Sequence, residues 1–117
     1  MINQISDLCW MLGIGLYKYS INAELIKSEG LGPLLSARGF GYETSSGKPR
    51  IFYDDSQSVQ EIRYTIAHEL GHILQGHFRE GRASLCDPVL EQEADSTAAV
   101  LMDLIYGPEW QDQMESA

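Results

Sequence analysis

Apolar residues recur at helical spacing in two long stretches of this chain, and the remaining elements are short. From Val59 to Gln75, the residues Val59, Ile62, Ile66, Leu70, Ile73 and Leu74 advance in steps that keep them on one side of a helix. Ser58 and Glu61 have capping-box spacing at its start, and Gly76 suits its end. From Pro88 to Tyr106, a second stripe of Leu90, Ala94, Thr97, Ala98, Leu101, Leu104 and Ile105 predicts another long helix. Asp87 is its expected N-cap, Pro88 its first helical position, and Gly107-Pro108 its stop.

Ahead of these, Ile5, Leu8, Cys9 and Leu12 predict a short helix that ends at Gly13. Gly15 to Tyr19 reads as a strand, and Asn22 is placed to cap a brief helix through Lys27 that stops at Gly30. Gly32-Pro33 is a turn. Gly39 to Glu43 and Arg50 to Tyr53 flank the turn chemistry of Ser45-Ser46-Gly47-Lys48 and predict a β-hairpin, and Asp54-Asp55-Ser56 closes the sheet region. Arg79 to Asp87 reads as a polar loop, and the tail from Gln111 to Ala117 is expected to fray. The expectation is an α+β fold, with a short antiparallel or mixed sheet packed on the two long helices.

A length of 117 residues fits one domain, 1–117, with one modest core. The net charge of −9 argues against direct nucleic-acid binding, because phosphate contacts need a basic face. Cys9 lies in an apolar helical pattern and Cys86 in a loop, too far apart for a metal-ligand pair, so a reducing compartment fits better than a disulfide. No basic residue precedes Lys18, and the apolar run Leu8 to Tyr17 holds two glycines and is too short to span a bilayer. A cytoplasmic protein without a membrane partner is expected.

The candidate chemistry sits in the first long helix, at His68-Glu69-Leu70-Gly71-His72. Residues four apart lie one turn apart on one face, so His68 and His72 can hold one zinc ion from the same side. They are expected to project away from the apolar stripe. Glu69 lies about a quarter-turn round and can reach the position where a water would sit. This is the His-Glu-x-x-His pattern of zinc peptidases, two ligands and a general base.

A third ligand is needed for a firmly held ion. His77 is a poor choice, because Gln75 and Phe78 break the extended metzincin pattern. Glu91 and Glu93 are better placed, but they lie about 200° apart on the second helix and cannot both face one metal. Asp95 is one turn beyond Glu91 and could accept the second ring proton of a ligating imidazole. Glu91 is therefore preferred as ligand, with Asp95 behind the imidazole and Glu93 as the alternative ligand. Ala94 and Ala98 would let the two helices approach closely. Tyr64, Tyr106 and His77 are open candidates for oxyanion stabilisation, and none is assigned.

The run Arg63 to Leu74, with Glu91-Gln92-Glu93-Ala94-Asp95 and Ala98 to Met102, resembles the ImmA/IrrE family of zinc metallopeptidases. The strand Arg50 to Tyr53 also stands where that family has one, and the resemblance covers about Ile5 to Met102. It implies a small zincin-like domain, one Zn2+ per chain, and a gluzincin-type site, where the same glutamate-to-aspartate spacing supports Glu91. Members of the family often belong to prophages or mobile elements, and several cleave a transcriptional repressor. The resemblance thus implies regulatory proteolysis of a protein partner, a repressor or an antitoxin. It departs from the family after Met102, where a proline is frequent and this chain continues with Asp103 to Tyr106.

In that reading Glu69 is the general base and the substrate adds as a strand along a sheet edge at Arg50 to Tyr53. The reading from a different class is a non-catalytic zinc-binding regulatory or toxin–antitoxin module. An intact Glu69 favours catalysis, since a structural zinc site needs no base.

Overall fold

The computed structural model describes residues 4–44, 46–76 and 88–116. Its elements run α1 (Ile5–Met11), β1 (Gly15–Lys18), α2 (Tyr19–Ser28), a 3-10 turn (Gly32–Ser36), β2 (Gly39–Glu43), β3 (Pro49–Tyr53), α3 (Val59–Leu74), α4 (Pro88–Tyr106) and α5 (Trp110–Ser116). His77, Cys86, the Arg79–Asp87 loop and the Asp87 cap lie outside the described residues.

The three strands form one mixed sheet in the order β1-β3-β2. β1 runs parallel to β3, with Gly15 opposite Arg50 and Lys18 opposite Tyr53. β2 runs antiparallel to β3, with Gly39 opposite Tyr53 and Glu43 opposite Pro49. The expected hairpin is therefore present, but its second strand lies in the middle of the sheet. Ile51, Phe52 and Tyr53 are all buried, as a strand paired on both sides and covered on both faces requires. This corrects the expectation that Arg50 to Tyr53 forms an edge; the edges are β1 and β2.

Successive side chains of β3 serve two cores. Ile51 and Tyr53 join Ile66, Ala67, Leu70, Ala98 and Met102 on the α3 side. Phe52 joins Phe40, Tyr19 and Ile26 on the α2 side. On β2 the residues facing α3 include Gly39. A methyl group there would lie 2.5 Å from Thr65 Cγ2, so α3 rests directly on the strand.

α3 is held at its start by a complete capping box. The Ser58 hydroxyl accepts from the Glu61 amide at 3.2 Å, and the Glu61 carboxylate accepts from the Ser58 amide at 3.2 Å. The Ser58 amide, and after it the Ser58 side chain, also hold the Glu61 carboxyl below its ordinary value.

Several local expectations change. α2 begins at Tyr19 rather than at a cap on Asn22, and the Asn22 amide instead donates back to the Lys18 carbonyl at 2.8 Å. Val59 and Leu74 are exposed, and the buried set of α3 is Thr65, Ile66, Ala67, Glu69, Leu70, Gly71 and His72. On α4 the buried residues are Ala94, Ala98 and Met102, while Leu104 is 77 % exposed. The cause is shared: α3 is enclosed between the sheet and α4, so its buried surface is wider than one apolar stripe. The tail is helical over Trp110–Ser116, because α5 folds back and places Trp110 in the core. Cys9 is fully buried and free, and burial pushes its thiol up to about 12.

Candidate metal centre

α3 and α4 pack more closely than ordinary side chains allow. A methyl group on Gly71 would lie 2.7 Å from the carbonyl oxygen of Ala94 and 3.1 Å from its Cα. Glycine on one helix and alanine on the other thus set a backbone-to-backbone contact. That contact lies between His68 and His72 on one helix and between Glu91 and Asp95 on the other.

The four side chains converge. His68 Nε2 is 2.7 Å from Glu91 Oε2, and His72 Nε2 is 3.1 Å from Glu91 Oε1. The two rings stand edge to face with centroids 4.9 Å apart. His68 Nδ1 is 2.7 Å from Asp95 Oδ1. An ionised carboxylate only accepts, so Nδ1 carries the proton and donates to Asp95. His72 is 1 % exposed, which corrects the expectation that both histidines face away from the core. Its ring is buried because α4 lies over that side of α3.

This donor set fits a metal ion. With Nδ1 of His68 engaged by Asp95, Nε2 is the ring nitrogen turned toward Glu91 and the one available to a metal ion. Among the described residues, His68, His72 and Glu91 form a group whose ligand atoms all lie within 4.8 Å of one another. Two imidazoles and a carboxylate are the donors of a catalytic zinc site with an open position. Glu93 is outside that group, on an exposed face with Gln75 and Ser96 beside another cleft.

The centre opens into a cleft of about 340 Å³ between β2, α3, α4 and α5. Glu69 lines it although its side chain is almost wholly buried, at 5 % exposure. Burial, and then the charges of Glu69 and Asp54, push the Tyr19 phenol up. Leu34 and Met114 are among its apolar lining residues, Gly39 and Phe40 of β2 border it, and Arg38 stands at the rim.

Of the three oxyanion candidates, Tyr64 is at the cleft, but its hydroxyl donates to Asp95 Oδ1 at 3.0 Å. Burial, followed by that hydrogen bond and the charges of Asp95 and Glu91, pushes the Tyr64 phenol up to about 12. Tyr106 is elsewhere, with its hydroxyl accepting from the Ile5 amide at 2.8 Å and its ring under the Arg63 guanidinium. His77 is outside the described residues.

Sequence reasoning missed Leu34, Phe40 and Met114 as parts of the cleft. The one signal for Met114 was its spacing, one helical turn beyond Trp110 in an otherwise polar tail.

A three-stranded mixed sheet under a His-Glu-x-x-His helix, with an acidic residue supplied by the next helix, defines a small zincin-like domain. Residues 33–104 match the family model of the IrrE N-terminal-like domain, Peptidase M78. That span covers more than half of the chain and contains the sheet hairpin, α3 and nearly all of α4. The chain belongs to this metallopeptidase family. No curated protein and no solved structure matches it. Among the described residues, no helix is long and apolar enough to cross a membrane.

Proposed function

We propose that this protein is a zinc-dependent metalloendopeptidase that hydrolyses a peptide bond in one specific intracellular protein, a repressor-like regulator or an antitoxin. The observation that carries the reading is the convergence of His68, His72 and Glu91 beside the buried carboxylate of Glu69. Family membership supports peptide-bond hydrolysis as the reaction. The repressor or antitoxin assignment extends the ImmA/IrrE resemblance, and the acidic net charge of −9 supports a protein partner over nucleic acid.

His68, His72 and Glu91 would hold the zinc ion, which supplies Lewis acidity to the scissile carbonyl and to a water. Asp95 fixes the tautomer and orientation of the His68 ring through Nδ1. Glu69 takes the proton of the attacking water and passes it to the leaving amine. The burial of Glu69 keeps bulk water from competing for that proton.

The substrate lies extended against the free side of β2. Among the described residues, β2 pairs with β3 on one side and with no strand on the other, and Gly39 and Phe40 border the cleft. Main-chain hydrogen bonds to such an edge position a peptide largely independently of its side chains.

The test is cleavage of candidate repressors co-expressed with the protein, read by mass spectrometry of the products. Wild type should cut one partner at one bond, and Glu69→Gln should keep its zinc and lose cleavage. Full activity in Glu69→Gln would remove the general-base role. Zinc binding with no cleaved partner in the wild type would favour a regulatory module that works by binding.

A further inference from the structure

Asp95 presents an unusual support for a metal centre, because its side chain is 55 % exposed. An exposed carboxylate on a helix surface ordinarily samples several rotamers and holds an imidazole loosely. Here one oxygen, Oδ1, takes two donors. His68 Nδ1 lies at 2.7 Å and the Tyr64 hydroxyl at 3.0 Å. The second donor comes from α3, one turn before His68, so the carboxylate of α4 is clamped between two side chains of the same facing helix.

Tyr64 is itself held. Its ring stacks on Trp110 with centroids 5.5 Å apart and planes 15° from parallel. Trp110 is buried, and its Nε1 donates to Asp103 Oδ1 at 2.6 Å. The sequence of contacts runs from Asp103 on α4 through Trp110 on α5 and Tyr64 on α3 to Asp95 on α4, and ends at His68 on α3. Three helices are tied into one frame, and α5 braces the centre from outside.

We infer that Tyr64 is a positioning residue of the metal centre, acting through Asp95 to fix the His68 ring, and that the α5 tryptophan Trp110 holds Tyr64 in place. The inference rests on the metallopeptidase reading above. It gives the phenol a function that packing does not: a phenylalanine would fill the same space and stack equally well, but would leave Asp95 with one donor fewer.

The experiment is a zinc affinity measured by chelator competition for the wild type, Tyr64→Phe, Asp95→Ala and the double variant, with the melting temperature of each metal-free protein alongside. Loss of a partner that orients a ligating histidine costs about 10–100-fold in metal affinity, so Asp95→Ala should fall in that range. Tyr64→Phe, acting one bond further out, should weaken zinc about fivefold, a fraction of that loss. In the Asp95→Ala background the Tyr64 change should have no further effect, because its route to His68 is gone. Trp110→Phe, which loses the bond to Asp103, should lower zinc affinity in the same direction as Tyr64→Phe.

Unchanged zinc affinity in Tyr64→Phe, with zinc bound by the wild type, would overturn this inference and leave the metallopeptidase reading standing. An equal loss in the presence and absence of Asp95 would also overturn it, since Tyr64 would then act through packing alone. A wild type that binds no zinc would overturn both.

Discussion

The two faces of the central sheet are built from different kinds of residue. On the α2 side, Tyr17 stacks on Phe52 and Phe52 on Phe40, each with centroids 5.0 Å apart, and Tyr19 leans on Phe40 at 6.0 Å. Large rings fill that layer. On the α3 side the outer contact is made by glycine and alanine, with Gly71 against the Ala94 backbone and Ala98 buried close by. The first face uses volume, which yields stability through buried area. The second uses the absence of volume, which brings two backbones together and so sets the distance between His72 and Glu91. Buried side chains on both sides of the three-stranded sheet supply stability, while the close helix contact that sets the chemistry lies on the α3 side alone.

This contrast can be broken by substitutions on each side. Phe52→Ala should produce the largest loss of stability, about 3–5 kcal/mol by urea unfolding, as expected for a buried aromatic residue. The fraction that remains folded should bind zinc as the wild type does. Gly71→Ala should show the reverse balance. The added methyl group must push α4 away, which costs about 1–3 kcal/mol as an overpacked contact, but zinc affinity should fall clearly because His72 and Glu91 separate. A Phe52→Ala protein with weakened zinc binding, next to a Gly71→Ala protein with normal binding, would contradict the division.

The capping box should give the smallest effect. Ser58→Ala should cost about 1 kcal/mol without altering zinc affinity. Glu61 adds a pH dependence to the same helix end. Its folded-state carboxyl is held below the ordinary 4.5, chiefly by the hydrogen bond from the Ser58 amide. The stabilisation is therefore fully present above that value and is lost as the pH falls through the lower folded-state value. Melting temperatures of wild type and Glu61→Gln should differ at neutral pH and converge in acid. A difference that persists unchanged in acid would exclude the carboxylate as its source.

Much of the site was legible in the sequence because it depends on local spacing. His68 and His72 share a face through the four-residue step, and Ser58 with Glu61 marks where that helix starts. The angular separation of Glu91 from Glu93, with Asp95 one turn further on, singled out the carboxylate that the structure groups with the histidines. What sequence left obscure depends on contacts between distant elements. The burial of His72 comes from α4 lying over α3, and periodicity along one helix does not show a neighbour on its polar side. The central place of β3 is a matter of strand order, which an alternating pattern does not encode. α5 folds because Trp110 stacks on Tyr64 and bonds to Asp103, not because the tail carries an apolar stripe of its own.

α3 and α4 together bring His68, His72 and Glu91 into one candidate metal centre. The most direct measurement is elemental analysis of zinc per chain after exhaustive dialysis, for the wild type, Glu91→Ala and Glu93→Ala. About one zinc per chain is expected in the wild type and in Glu93→Ala, with its loss in Glu91→Ala. Zinc retained undiminished by Glu91→Ala, or absent from the wild type even after zinc is added back, would contradict this assignment.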